Sequence, residues 1–210
     1  MALELQDYTT FTEVDPSNYI SISSATYFSD NEQNNKIMYL YKDMGSDIFI
    51  NGFKLRQRFK ISSTAYYTMI FPLLVAGGLG DNTTITDPQS YIRLYSGNTN
   101  QNLEWRVVSN GVSTAGAIRI NTGVNYYYEL EYNLSTNEIT GRVLDASLGF
   151  VEEKIVEATV NPVIFGRYLY AANGRSSGSN AMAANGSSLW MEISDPPASV
   201  LNNPLFFAQD

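Results

Sequence analysis

Glu129 and Glu131 are the residues whose type and spacing first suggest chemistry. They stand two apart in "GVNYYYELEYNLSTNEITGRVLD" (123–145), so a strand would carry both on one side, with Asn125, Tyr127 and Asn133. Val124, Tyr126, Tyr128, Leu130 and Tyr132 fill the other side, which is what a core requires. Paired carboxylates on one strand face suit glycoside cleavage, where a nucleophile and a carboxylic acid about 5–5.5 Å apart give retention of configuration. Tyr127 beside them offers a ring for stacking on sugar C–H faces and a polar tip for hydrogen bonding. The same pattern also describes an ordinary strand, with Glu129 and Glu131 in solvent and Tyr127 packed on a cross-strand neighbour.

Other chemistry is narrowed by what the chain lacks. It has no His and no Cys. That removes the usual zinc ligands, the base of a Ser-His-Asp site, any thiolate nucleophile and any disulfide framework. The sharpest charge feature is the stripe Lys54, Arg56, Arg58 and Lys60, four of the 13 Lys and Arg residues on one strand face. Like charges at this spacing repel, so an acidic neighbouring strand is expected to offset them, and the Glu129 and Glu131 face is the obvious candidate. The alternative is an acidic polysaccharide or a partner protein read by the arginines. Trp105 shares a face with Leu103 and Val107 and is expected in the core, whereas Trp190 stands opposite Leu189, Met191 and Ile193 and is the second candidate sugar platform. Asp81, Asn82 and Asp87 in "GDNTTITD" offer hard oxygen ligands suited to calcium, although their spacing matches no motif and Asx-rich turns have hydrogen bonds of their own. Asn82, Asn133 and Asn185 lie in glycosylation sequons, expected to be chance matches without an export signal.

The elements that must position these residues are strands. "GFKLRQRFKI" (52–61) alternates throughout, with Phe53, Leu55, Gln57, Phe59 and Ile61 against the basic stripe. "YISISSATYF" (19–28), "KIMYLYKD" (36–43), "SYIRLYSG", "LEWRVVSN", "GAIRIN", "FVEEKIVEATV", "VIFGRYLYAAN" and "LWMEISD" read as further strands, and 123–145 as a hairpin turning at Ser135, Thr136 and Asn137. "YYTMIFPLLVAG" (66–77) is nearly continuously apolar, as a strand covered on both faces should be, and Pro72 marks a bulge or an edge. The segments 29–35 and 173–188 have the composition of polar loops. No segment keeps helical periodicity over three turns, so an all-β antiparallel sandwich or jelly roll over residues 1–195 is predicted, with 196–210 as an extended C-terminal tail.

The length of 210 residues, with 44% hydrophobic and 16% charged, suits one such domain. A net charge of −8 disfavours nucleic acid as a partner. No signal peptide and no apolar run long enough for membrane insertion are visible.

The series "KIMYLYKD", "GFKLRQRFKI", "YYYELEYN" with its hairpin partner, "YLYAANG" and "LWMEISD" resembles the concanavalin A-like, laminin-G-like jelly rolls of phage structural proteins and environmental bacterial surface proteins. The resemblance covers roughly residues 8–195 and implies two antiparallel sheets and, often, non-catalytic glycan binding. Glycanases of that fold carry Glu-x-Asp-x-x-Glu or a one-residue variant of it. Here position 131 is Glu and positions 132–134 are Tyr, Asn and Leu, so the general acid and the helper Asp are missing. Lyases of the fold need a His. No catalytic residue and no cofactor is therefore expected. The predicted function is a structural module of a phage-like virion, a decoration, fibre or tail-associated subunit that contacts its own copies or other virion proteins and binds surface polysaccharide. The alternatives are a free-standing lectin-like module and, more distantly, a glycan-cleaving enzyme. In the tail, Pro196 and Pro197 forbid further ladder pairing, and Leu205, Phe206 and Phe207 are its candidate anchors, on the same domain or on a neighbouring subunit.

Overall fold

A computed structural model describes residues 3–16, 18–24, 26–32, 38–45, 48–49, 51–63, 68–80, 89–96, 102–158, 166–175 and 182–194. The candidate calcium residues Asp81, Asn82 and Asp87 and the whole tail with Leu205, Phe206 and Phe207 lie outside these residues. The first sheet runs β13 (Phe150–Glu157), β12 (Glu138–Leu144), β11 (Tyr126–Asn133), β6 (Phe53–Ser63), β15 (Met182–Ile193), β4 (Thr26–Glu32) and β3 (Ile20–Ile22), and β1 (Glu4–Leu5) pairs with the far end of β15. The second runs β10 (Val112–Asn121), β9 (Asn102–Ser109), β8 (Gln89–Ser96), β7 (Thr68–Ala76), β14 (Tyr168–Arg175), β5 (Met38–Asp43) and β2 (Thr12–Val14). Every described pairing is antiparallel, so the chain is an all-β antiparallel sandwich.

Alternation decides which side chains meet between the sheets. From the first sheet come Phe53, Leu55, Phe59, Ile61, Tyr128, Leu130, Tyr132 and Leu189; from the second come Met38, Leu40, Ile70, Leu73, Val75, Ile92, Leu94, Leu103, Trp105 and Val107. Gln57 shares that inward face and donates from Nε2 to the buried Tyr8 hydroxyl at 2.8 Å. Tyr8 belongs to a short 3-10 turn, Tyr8–Thr10, capped by Asp7, whose Oδ1 accepts from the Thr9 amide. Trp105 is fully buried, as its neighbours predict, and it fits because Gly116 and Gly141 have no side chain: a Cβ on Gly116 would stand 1.8 Å from the indole nitrogen.

Several boundaries differ from the sequence reading. Residues 19–28 are not one strand but the hairpin β3–β4, because Ser23 turns the chain, its amide donating to Thr26 O at 2.7 Å. β4 continues through Glu32, and β14 and β15 extend into the segment expected to be a loop, since pairing with β5, β6, β7 and β4 outweighs the poor strand propensity of Gly, Ala, Asn and Ser. Val124 is exposed and precedes β11 instead of joining its core face. Pro72 marks a bulge: β7 lies between β8 and β14, and its register with β8 shifts between Ile70 and Leu73. Residues 150–157 form a strand, as their sequence predicts.

One side of the sandwich is closed by a carboxylate. Glu152 on β13, an edge of the first sheet, accepts from the amides of Ala117 at 2.7 Å and Ile118 at 3.1 Å on β10, an edge of the second. It also accepts from the Trp105 indole at 2.8 Å and pairs with Lys154 at 3.1 Å. Burial alone would raise its pKa, but the hydrogen bonds from Ala117, Trp105, Ile118 and Lys154 prevail and bring it down to about 2. A depressed carboxylate stabilises the fold above its unfolded pKa, and that contribution is lost as pH falls toward the folded value. Glu152→Gln should therefore lower stability by about 1–3 kcal/mol at pH 7. The deficit should shrink between about pH 4.5 and pH 2, as measured by denaturant unfolding across pH; a deficit independent of pH would contradict the clasp.

Candidate functional site

The outward face of the first sheet carries the residues that drew attention in the sequence. β11 lies between β6 and β12, with Glu129 opposite Arg56 and Arg142, Glu131 opposite Lys54 and Thr140, and Tyr127 opposite Arg58 and Leu144. Glu129 contacts Arg56 through both guanidinium Nε at 2.6 Å and Nη2 at 2.5 Å, and has Lys54 and Arg142 each at 3.6 Å. Arg142 also pairs with Glu131, and with Glu153 on β13 at 2.6 Å. Lys54 lies 3.9 Å from Glu131 and opposite Glu192 of β15. A charge ladder therefore crosses the sheet from β6 to β13.

This ladder corrects one expectation. Glu129 is not a solvated strand residue but is 3% exposed, because three cations converge on it. The expected acidic neighbour of the basic stripe is present for Lys54 and Arg56. It is not present for the other two: Arg58 stands opposite Tyr127 and Ser187, and Lys60 opposite Asn185. Among the described residues neither has a carboxylate within 4 Å. Arg142 completes the ladder and was missed; once the hairpin turn at Asn137 is placed, counting back along β12 sets it opposite Glu129.

The two candidate sugar platforms come together. Tyr127 and Trp190 meet across β6 with ring centroids 6.0 Å apart and planes inclined by 37°. Both are half-buried. At the end of this face a cleft of about 590 Å³ opens between Lys54, Glu131, Asn133, Glu192 and Ser194. Its carboxylates flank Lys54, so each faces a cation instead of a partner acid across a substrate gap. Among the described residues no group of three His, Cys, Asp or Glu side chains could hold a metal.

A second surface escaped the sequence reading. The outward residues of the second sheet form an apolar cluster of their own, separate from the core: Phe71, Leu74, Ala76 and Tyr170 are buried, with Tyr39, Tyr41, Met69, Tyr91 and Tyr168 packed around them. The rings touch in series. Tyr41 lies 5.8 Å from Tyr168 and 6.0 Å from Tyr170, Tyr39 lies 5.9 Å from both Tyr41 and Tyr170, and Phe71 meets Tyr91 edge-on at 4.8 Å. The Tyr170 hydroxyl is tied down, donating to Gly78 O and accepting from the Gly80 amide. Tyr39, Tyr41, Tyr91 and Tyr168 remain partly exposed. Two sequence signals pointed here: the tyrosines of "YLYKD" and "YLYAA" alternate with the core residues Leu40 and Leu169, and 66–77 is apolar without alternation.

Rings suited to C–H stacking, with hydroxyls and charged groups at the margin, are the chemical equipment of this face. No family model and no curated protein matches the chain. Solved structures do. A legume lectin-like domain from Entamoeba histolytica superposes with a TM-score of 0.63 at 10% identity, covering 89% of this chain and 91% of that one. The CBM2 module of the evolved Dit from Lactobacillus casei BL23 phage J-1 gives 0.60 at 8% identity, covering 91% and 96%. Tailspike protein 2 of the Escherichia coli O157:H7 bacteriophage CAB120 gives 0.53 at 10% identity over 93% of this chain and 26% of that one. This chain thus has the concanavalin A-like jelly-roll fold, shared with legume lectins and with domains of phage proteins.

Proposed function

We propose that this protein is a non-catalytic, saccharide-binding module of a phage-like virion, in which it contacts its own copies or other particle proteins. The observation that carries the saccharide reading is the half-exposed tyrosine face of the second sheet, an aromatic surface with a buried apolar floor. A sheet apolar on both sides must have its outer side covered, and tyrosine is the residue type that tolerates intermittent cover by a sugar. The similar structures named as a legume lectin-like domain, the CBM2 module of a phage Dit and a phage tailspike support the particle setting and the ligand class. Tyr127 and Trp190 offer a second, smaller platform on the opposite side.

Catalysis by the paired carboxylates is disfavoured by their surroundings. Glu129 is buried, held by Arg56 and screened by Lys54 and Arg142. Glu131, although it borders the cleft, is paired with Arg142, so the two do not present a nucleophile and a carboxylic acid to one sugar. Glu129→Gln should cost about 3 kcal/mol of stability by leaving Arg56 without its buried partner. It should leave reducing-end release from laminarin, agar or alginate at the background level of the parent protein. Activity in the parent that this substitution abolishes would overturn the non-catalytic reading.

The ligand face is tested by retention on an array of bacterial capsular and cell-wall glycans. Replacing Tyr41 and Tyr168 together by Ala should reduce retention at least tenfold, about 1.4 kcal/mol, with the thermal midpoint recorded to verify folding. If Tyr127→Ala with Trp190→Ala has the larger effect, the site belongs to the first sheet. Full retention by both double variants would exclude both faces as the site, and no retention of the parent protein would remove the saccharide reading.

The particle reading makes a separate demand on the C-terminal segment. Ordering the residues after Pro197 costs about 1–2 kcal/mol each, and Val200, Leu201, Leu205, Phe206 and Phe207 are the apolar groups able to offset this. Removing residues 198–210 should leave the thermal unfolding of the sandwich intact while lowering the oligomeric mass by light scattering or the binding to particles. Unchanged mass together with unchanged particle binding would exclude the tail as an assembly element.

A further inference from the structure

The tyrosine face of the second sheet does not end at Tyr91. Ile92 and Leu94 of β8 and Leu103, Trp105 and Val107 of β9 point into the core, so Tyr91, Arg93 and Tyr95, and Glu104, Arg106 and Val108, lie on the outer side. Arg93 pairs directly with Arg106 across the β8–β9 ladder, and Arg119 of β10 pairs with Glu104. Three guanidinium groups and one carboxylate thus share a small area of a chain whose net charge is −8.

The pairings within this group are unequal. Glu104 takes the Arg106 guanidinium and lies 3.7 Å from Arg119, and Arg106 also reaches Ser113 at 3.4 Å. The described residues give Arg93 no carboxylate within 4 Å, only the ring of Tyr95 beneath its guanidinium at 5.7 Å. Among the described residues its Nε is buried and without a hydrogen-bond acceptor, as is that of Arg58 on the first sheet. Directly opposed like charges destabilise a sheet, and a desolvated guanidinium N–H without an acceptor adds to that. A structural arginine would be expected to acquire a carboxylate in contact; among the described residues Glu104 contacts Arg106 and Arg119 and acts on Arg93 only at longer range. An incoming oxyanion placed between Arg93 and Arg106 would relieve both costs, and Arg's planar fork suits a carboxylate.

We propose that Arg93 and Arg106 form the acid-recognising subsite of the tyrosine face, so that the preferred ligand is a saccharide bearing a carboxylate, with its ring carried by the aromatic residues Tyr91 and Tyr95. This rests on the saccharide reading above and adds the ligand's charge to it. An acidic peptide could satisfy the same guanidinium groups but would make less use of the aromatic floor alongside them.

The experiment uses the full chain and measures affinity by calorimetry at fixed ionic strength for four probes: an oligouronate, its carboxyl-reduced neutral counterpart, a sulfated oligosaccharide of equal length and an oligoglutamate. The oligouronate should bind at least tenfold more tightly than its neutral counterpart. Arg93→Gln should abolish that preference while leaving neutral binding within twofold, and should keep or raise the thermal midpoint, because it removes a like-charge contact. A fall in the midpoint with the preference intact would make Arg93 structural and overturn the proposal. Equal binding of the uronate and its reduced form would overturn this proposal alone. No binding of any saccharide would remove the saccharide reading and this proposal together. Stronger binding of the sulfated probe would overturn the carboxylate assignment, and stronger binding of oligoglutamate would replace the saccharide by an acidic protein partner.

Discussion

The pairing of Arg56 with Glu129 is the constraint on which the first sheet depends. β6 is the spine of that sheet, bonded to β11 on one side and β15 on the other. A one-residue slip between β6 and β11 would leave two apolar strand faces turned to opposite sides of the sheet, sending one set of core residues into solvent. Hydrophobic patterning already resists the slip, and the charge ladder adds a second lock. Glu129 is desolvated, so it is tolerable only with a cation at bonding distance, and the observed register places Arg56 and Arg142 on either side of it. Ion pairs of this kind contribute little net stability relative to apolar replacements, but losing one partner is costly. The charge pattern that resembles a catalytic pair is therefore better understood as a register device.

The second sheet is arranged differently. Its strands bury one set of alternating residues against the first sheet, and through β5, β14, β7 and β8 they also carry a nearly continuous aromatic set on the outside. On the first sheet, charges cover much of the outer side, and Lys54, Arg56 and Arg142 pair with carboxylates whereas Arg58 and Lys60 have none within 4 Å among the described residues. On the second, rings cover it, and the charges that begin at β8 are imbalanced toward arginine. The two faces of one sandwich thus differ in kind: ion pairs between neighbouring strands dominate one, and packed rings the other.

Much of the fold was legible because alternation is a local signal. The faultless pattern of 52–61, the hairpin turn at Asn137 and the placing of Trp105 between Leu103 and Val107 each follow from residues close in sequence. What was not legible depends on distant partners. Met182–Ser187 resembles a loop in composition, yet it is a strand because β4 and β6 flank it. The burial of Glu129 needs Arg142 and Lys54 as well as Arg56, and the tyrosine face assembles from residues 39, 41, 91, 168 and 170. Each of those tyrosines, seen alone, is an unremarkable strand residue. The Glu152 clasp shows the same limit, since "FVEEK" contains two adjacent glutamates and only the tertiary contact with β10 distinguishes the one that closes the sandwich.

Charge distribution links these observations. Of the 13 Lys and Arg residues, Lys54, Arg56, Arg58, Lys60 and Arg142 belong to the first outer face, and Arg93, Arg106 and Arg119 to the second, against 21 Asp and Glu in the whole chain. The far field of the protein is therefore negative, while the Arg93–Arg106 patch is locally positive. At about 0.1 M salt the Debye length is about 10 Å, so the patch acts on a bound carboxylate at contact, and the net charge is largely screened from an approaching polyanion. Lowering the salt lengthens the range of both, and the repulsion from the whole chain then opposes the attraction of the patch. A basic lectin would bind an acidic polymer more tightly as salt falls. If the patch binds as proposed, the two fields act against each other, and short acidic oligosaccharides should gain more from reduced salt than long ones, which also meet the chain's net charge of −8.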